Sequence, residues 1–170
     1  MAKNPIIQKD QRLLRAIAKE VPLEQISQTK IKHLLTKMKT VLAEREDGAA
    51  LAAPQIGVSL RIFIVSKRIF GDESKTLPAK LKTQDLVFIN PVLIKLSKKK
   101  KKLEEGCLSV QGVFGKIERS EKAQVEAYNE NGQKISYSGS GLLAQIFQHE
   151  IDHLNGILFI DKAKNLIKVD

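Results

Sequence analysis

Between Leu142 and Leu154 the chain sets Leu142, Leu143, Ile146, Phe147, Ile151 and Leu154 at helical spacing, on more than one side of the helix they imply. A helix that is apolar on several sides cannot lie on a surface with one face in water. It must sit inside, with other elements packed round it. Gly156 supplies its stop. Strands are available to surround it. Arg61–Val65 reads as one, and Leu86–Leu96 as another, with Pro91 marking a bulge or an edge position. Ala123, Val125 and Ala127 alternate with polar residues, and Asn131-Gly132 turns the chain tightly into Gln133–Tyr137, a hairpin. A first long helix is expected within Leu23–Glu46, from Ile31, Leu34, Leu35, Met38, Val41 and Leu42. It ends at Asp47-Gly48 and is followed by a loop over Ala49–Gly57. The polar stretch Lys67–Gln84, with Gly71 and Pro78, reads as a surface loop. The fold class is therefore α+β, with antiparallel sheets packed around a central buried helix. At 170 residues without repeats or a Gly/Ser/Pro-rich linker, residues 1–170 form one domain with a real core.

Composition narrows the setting. A hydrophobic fraction of 42% is ordinary for a globular chain, and one cysteine cannot form an internal disulfide. Met1-Ala2-Lys3-Asn4-Pro5 lacks the apolar run of a signal peptide, and no apolar stretch reaches the length of a membrane span. The cytosol is the default compartment, with no membrane partner and a monomeric state. Charge is lopsided, with 29 Lys+Arg against 19 Asp+Glu, a net of +10. The plain reading is solubility; the sharper one is proximity to a polyanion such as ribosomal RNA. Lys98–Lys102, five lysines in succession, reads first as a solvated hairpin tip. With no Trp, two Tyr and six Phe, a base-stacking platform is not evident.

The buried helix also carries chemistry. His149 and His153 lie four residues apart, so their imidazoles stand one turn apart on one face, with Glu150 beside them. They continue the stripe of Leu142 and Ile146. His33, the remaining histidine, stands alone on the first helix and is assigned no role. A third ligand is needed for a metal. The longer pattern with a further His fits through Gly156 and fails at Phe159, and no Glu follows Glu150. The third ligand therefore comes from upstream, and Cys107 in Glu105-Gly106-Cys107-Leu108-Ser109 is the choice. Two His and one Cys leave the fourth position of a tetrahedral metal open, the mark of catalysis rather than scaffolding. A buried core thiol is the competing reading of Cys107. Gly106 argues against it by letting backbone approach a ligand, and Leu108 by presenting an amide beside the metal. A divalent metal lowers the pKa of its water from about 16 toward ~7. Glu150 can take the water's proton and later pass it to a leaving amine. The side-chain amide of Gln55 and the backbone N–H of Leu108 are candidate oxyanion donors.

Three segments, Gly48-Ala49-Ala50-Leu51-Ala52-Ala53-Pro54-Gln55, Glu105-Gly106-Cys107-Leu108-Ser109 and Gln148-His149-Glu150-Ile151-Asp152-His153, resemble the three signature motifs of the peptide deformylase family, in order and at similar spacing. The likeness runs from about Leu14-Arg15 to Phe159-Ile160-Asp161. It implies removal of the formyl group from N-formylmethionine on nascent peptides, with release of formate. It implies one metal ion, commonly iron(II), on Cys107, His149 and His153, with Glu150 as base and acid. Gln55 and the Leu108 amide would hold the formyl oxygen. It further implies a substrate backbone laid along Gly48–Leu51 as an added strand, and a methionine pocket lined by Leu103, Leu142 and Ile146. Asp152 would support the ligands from behind, and Arg119 is the partner expected for it.

The chain departs from the family pattern at Ala50, where the second glycine of the first motif is usual, at Gln111, where Pro is frequent, and at Gln145, where Arg or an aliphatic residue is frequent. None removes a ligand, the base or the oxyanion donor. A methyl at Ala50 is expected to narrow the cavity mouth or require a different φ. Two other readings stand beside the deformylase: a metallopeptidase, and a basic ribosome-associated module with a structural metal. The donor set would also take zinc, nickel or cobalt.

Overall fold

The computed structural model describes residues 4–70 and 77–170. Its regular elements are α1 (Thr29–Ala43), β1 (Ala50–Ala52), β2 (Ile62–Val65), β3 (Leu86–Leu96), β4 (Lys100–Cys107), β5 (Val110–Ser120), β6 (Lys122–Tyr128), β7 (Lys134–Ser140), α2 (Gly141–Leu154) and β8 (Lys164–Lys168). They build a five-stranded sheet in the order β1-β2-β3-β6-β7 and a three-stranded sheet in the order β4-β5-β8. Every pairing is antiparallel. The α+β class expected from the sequence is the one observed.

Strand alternation sends two sets of side chains to opposite faces of the larger sheet. Leu51, Ile62, Ile64, Val87 and Ile89 pack with Ile31, Leu35, Met38 and Leu42 of α1. Ala52, Phe63, Val65, Phe88 and Val125 pack with Leu143, Ala144, Phe147 and Ile151 of α2. Both faces of β2 are covered, which explains why Ile62–Val65 is an unbroken apolar run rather than an alternating one. Phe63 and Phe88 stack at 4.6 Å, and Phe147 meets the Phe88 ring edge-on at 5.3 Å, so α2 is keyed into the middle of the sheet. α2 also touches β5 of the smaller sheet and is the shared core of both. The smaller sheet closes on Leu14, Leu158 and Phe159 through Val110 and Ile117.

Local chemistry sets the boundaries. α1 starts at Thr29, later than the apolar period implies, because Leu23–Gln25 forms a separate 3₁₀ turn after Pro22 and Gln28 is extended. The loop expected over Ala49–Gly57 is instead β1 followed by a 3₁₀ turn, Ala53–Ile56. β3 has the bounds expected, and its register slips between Ile89 and Val92, around Pro91. Gly156 (φ 74°) follows α2, and a Cβ there would stand 2.4 Å from the Arg15 carbonyl oxygen. Ile157 N–H donates to Asp152 O across the same turn (2.9 Å). In the stretch read as a surface loop, residues 71–76 lie outside those described. Its flanks are not wholly at the surface, since Phe70 and Leu77 are buried in the core. Lys98 and Lys99 sit at the turn between β3 and β4, while Lys100–Lys102 belong to β4, and all five are exposed. No helix among the described residues is long and apolar enough to cross a membrane.

Candidate metal centre and cavity

α2 delivers His149 and His153 from successive turns, with ring centroids 4.9 Å apart. Cys107 closes β4, at a register slip after Glu105, and pairs with Val110 across the two-residue turn Leu108-Ser109. One ligand atom from each of Cys107, His149 and His153 lies within 4.8 Å of the others, and Cys107 Sγ is 3.2 Å from His153 Nε2. Ligands on a tetrahedral ion with bonds of about 2.0–2.3 Å stand about 3.3–3.8 Å from one another. The three side chains therefore fit a single ion with little movement.

The two imidazoles are shifted in opposite directions. Burial pulls the His149 pKa down, but hydrogen bonds with Cys107 and Glu105 outweigh it and leave the pKa well above the usual imidazole value. His153 is pushed well below that value, first by burial and then by its charged neighbour His149. Metal binding requires neutral imidazoles and a thiolate, so an ion on these three ligand atoms would take the place of their protons. Glu150 is buried beside them, and its Oε2 has no hydrogen-bond partner among the described residues. Burial pushes its carboxyl up to about 7. His149 Nε2 lies 4.0 Å from Glu150 Oε1, so the carboxylate is adjacent to the ligands without forming part of the three-residue cluster.

Behind the ligands lies an ionic network that the sequence revealed only in part. Arg119 Nη1 donates to Asp152 Oδ2 at 2.7 Å, the pairing expected. Arg119 also grips Glu105 with Nε (3.2 Å) and Nη2 (2.7 Å), and Glu105 Oε2 is 2.9 Å from His149 Nδ1. Burial acts to raise the Glu105 pKa, but hydrogen bonds from His149 and Arg119 prevail and hold it at about 2. Glu105 was legible only as a neighbour of Cys107. Its reach to the helix depends on a packing of β4 against α2 that spacing cannot reveal.

Gln55 is buried in the 3₁₀ turn after β1. Its Oε1 accepts from Ala52 N–H (2.9 Å), and its Nε2 donates to Ser109 Oγ (3.1 Å) and points at Cys107 Sγ (3.6 Å). The amide is thereby fixed with its donor end toward the cluster. Leu108 lies at the adjacent hairpin turn, with its carbonyl accepting from Gln8 Nε2 (3.2 Å).

A cavity of about 380 Å³ opens over this cluster. Gly48, Ala50, Gln55, Gly106, Cys107, Leu108, Leu142, Ile146, His149 and Glu150 all line it. The side chains of Leu51 and Leu103 do not. Leu51 is fully buried against α1, because alternation turns its side chain to the opposite face of the sheet. Leu103 is half-buried on β4 outside the cavity lining, where Gln145 and Phe114 stand instead. Phe114 also gives the reason for Gly106, since a Cβ there would come within 2.7 Å of its ring.

β1 is the end strand of its sheet. Ala49 O accepts from Ser66 N–H on the β2 side, and Ala52 N–H turns away to Gln55. With hydrogen-bonding direction alternating along a strand, the N–H and C=O of Ala50 face away from β2, toward the cavity. Among the described residues, positive φ outside glycine occurs only at Asn90 and Asn165, so Ala50 needs no special backbone. Its methyl packs on the α2 side of the core, the side on which the cavity lies.

Comparison with known proteins agrees with this arrangement. The family model described as polypeptide deformylase matches residues 3–169. A peptide deformylase from Carboxydothermus hydrogenoformans is 40% identical over 168 residues, covering 99% of this chain and 98% of that protein. Peptide deformylase 2 of Clostridium acetobutylicum is 39% identical over 150 residues, covering 88% and 89%. Among solved structures, a peptide deformylase from Synechococcus elongatus in complex with actinonin superposes with a TM-score of 0.80 at 34% identity, covering 97% of this chain and 82% of that one. A Met-Ala-Ser-bound class I type b peptide deformylase from Acinetobacter baumannii gives a TM-score of 0.80 at 31% identity, covering 93% and 96%.

Proposed function

The chain belongs to the polypeptide deformylase family, metal-dependent amide hydrolases that remove the N-formyl group from nascent polypeptides, and from that membership we propose how its own residues carry out the reaction. Cys107, His149 and His153 hold one divalent ion, and iron(II) is the metal proposed, although zinc, nickel and cobalt suit the same donors. Bound there, the ion would polarise the formyl carbonyl and make water acidic enough to attack near neutral pH.

The substrate's backbone lies along β1 as an added strand and pairs with the N–H and C=O of Ala50, with Gly48 and Gly106 flanking its path. Its methionine side chain enters the apolar part of the cavity beside Leu142 and Ile146, where an unbranched thioether adapts to an irregular wall. Glu150 takes the proton from the attacking water as the C–O bond forms. Gln55 Nε2 and the Leu108 N–H donate to the formyl oxygen as it gains negative charge. Glu150 then returns the proton to the amine nitrogen as the C–N bond breaks, so formate and a free N-terminal amine leave. Burial raises the affinity of this carboxyl for a proton, which favours the first half of that transfer.

What carries this reading is the convergence of the three ligand atoms beside Glu150, in a cavity whose wall includes the open edge of β1. The +10 charge and the exposed Lys98–Lys102 support contact with a polyanion, for which ribosomal RNA is the proposed partner, and a monomer in the cytoplasm is proposed with it. The test is formate release from a formyl-Met tripeptide by protein loaded with iron(II) or nickel(II). No formate would overturn the proposal. Cleavage of an internal bond in an unformylated peptide would restore the metallopeptidase reading. An ion with four protein ligands and no open position would restore the structural-metal reading.

A further inference from the structure

Gln145 lies on α2 one turn before His149 and forms part of the cavity wall. Its Nε2 donates to the main-chain oxygen of Glu104 at 3.1 Å and to Oε1 of Glu105 at 3.3 Å. An amide NH₂ has two hydrogens, and here each goes to a different group of β4. Cys107 ends that same strand. The other two ligands, His149 and His153, are on α2. The donor set is therefore divided between two elements that the chain joins only through β5, β6 and β7. Their separation at the centre depends on side chains that reach from one to the other.

Glu105 is where they meet. Its Oε1 accepts from Gln145 and from Arg119 Nε, and its Oε2 faces Arg119 Nη2 and His149 Nδ1. Gln145 and His149, one turn apart on one helix face, hold the same carboxylate. Arg119 comes from β5 and links Glu105 to α2 through Asp152, toward the helix end, whereas Gln145 does so one turn before His149. Of the side chains that hold Glu105 among the described residues, Gln145 alone also fastens the backbone of β4, at Glu104. A fork to one backbone and one side-chain oxygen fixes a rotation as well as a distance.

We propose that Gln145 is a positioning residue whose forked amide sets the spacing between Cys107 on β4 and the two histidines on α2. This rests on the metal reading of Cys107, His149 and His153. It predicts that a side chain able to donate to both oxygens preserves the centre, and that one unable to donate distorts it, whatever its effect on stability.

Cobalt(II) is the probe, because its visible absorption reports ligand geometry and competition with a chelator reports affinity. The full-length chain is compared with Gln145→Leu, Gln145→Glu and Gln145→Arg, each also followed by thermal melting. Residues that orient metal ligands typically change affinity 10–100-fold when removed. Gln145→Leu and Gln145→Glu are expected to shift the cobalt bands and weaken binding about tenfold, near the lower end of that range. Gln145→Arg, which keeps donors in place, is expected to retain the spectrum and the affinity within about twofold, far inside that range. Should the leucine variant fail to fold, the glutamate variant, of the same size as Gln, carries the comparison. Unchanged spectra and affinities in all variants would overturn the proposal. So would a loss in Gln145→Arg equal to that in Gln145→Glu at the same melting temperature. A wild-type chain that takes up no cobalt would instead overturn the metal reading beneath it.

Discussion

Glu105 Oε2 lies 2.9 Å from Nδ1 of His149. In the neutral ring that a metal requires, an Nδ1 proton engaged by this carboxylate leaves Nε2 as the lone-pair donor. The carboxylate is itself held by Arg119, and both are almost fully buried. Removing one partner of a buried pair leaves an uncompensated charge, which typically costs about 3–5 kcal/mol. Glu105→Ala is expected to lower unfolding stability by about that amount and to weaken metal binding about 10–100-fold. Denaturant unfolding and chelator competition measure the two effects, and an unchanged affinity would dissociate Glu105 from the centre.

Glu150 has a different task and should fail differently. Its Oε2 is buried without a partner, and it is not one of the three clustered ligands. Glu150→Gln removes the proton acceptor and nothing else. Turnover should fall by about 10²–10⁴, while metal content measured after dialysis stays at the wild-type level. Loss of metal in this variant would make Glu150 a ligand rather than a base.

For Gln55 the cleanest substitution is Gln55→Glu. It keeps an oxygen for the Ala52 N–H but loses the Nε2 donor aimed toward Cys107. A fall of about 10²–10³ in kcat with KM little changed is expected from the loss of one oxyanion donor. Equal changes in kcat and KM, in steady-state assays on a formyl-Met peptide, would assign Gln55 to ordinary binding instead.

Gly156 is a structural position with no chemistry. Its φ of 74° and the Arg15 carbonyl oxygen 2.4 Å from where a Cβ would stand leave no room for a side chain. Gly156→Ala should destabilise the fold by about 2 kcal/mol or more, through strain and the enforced shift of Arg15. A urea midpoint equal to wild type would show that the turn after α2 yields freely.

The Arg15–Asp161 pair gives a pH signature. Burial acts to raise the Asp161 pKa, but bonds from Arg15 and the Leu158 N–H, with the Lys162 charge nearby, leave it below 3.8. A lowered folded-state pKa means that the stabilisation is full above the unfolded value, near 4. It is lost as pH falls through the folded value. Both side chains are more than a third exposed, so the effect is small and screened by salt. The stability gap between wild type and Asp161→Asn should be present at pH 6 and shrink as the pH falls below about 4. A gap that stays constant would contradict the pairing.

The elements most legible in the sequence are those with one dominant cause. α2 announces itself by apolar residues on several sides, and the ligand set by two His one turn apart and a lone Cys. β3 could be bounded at both ends because β-branched residues run between polar flanks. The rest had no such signal. β1 is three residues long and buried throughout, so it offers no alternation to detect. β8 is exposed throughout and is a strand only because β5 pairs with it. Leu51 and Leu103 lie close in sequence to residues of the cavity wall, but the Leu51 side chain faces α1 and Leu103 lies outside the lining. Gln145 stood out only as a departure from a family pattern. Its bonds to Glu104 and Glu105 exist only once β4 is packed against α2.

An unpaired strand edge is normally a hazard, because it invites the edge of another sheet and so seeds aggregation. The free edge of β1 escapes this by its depth. It lies in the wall of a cavity of about 380 Å³, with Phe114 and Leu142 also on its lining. A second folded sheet is too thick to enter, whereas one extended chain is not. The edge thereby suits a polypeptide before it has collapsed better than the same polypeptide afterwards. Timing relative to folding, as much as side-chain chemistry, then selects what this protein acts on.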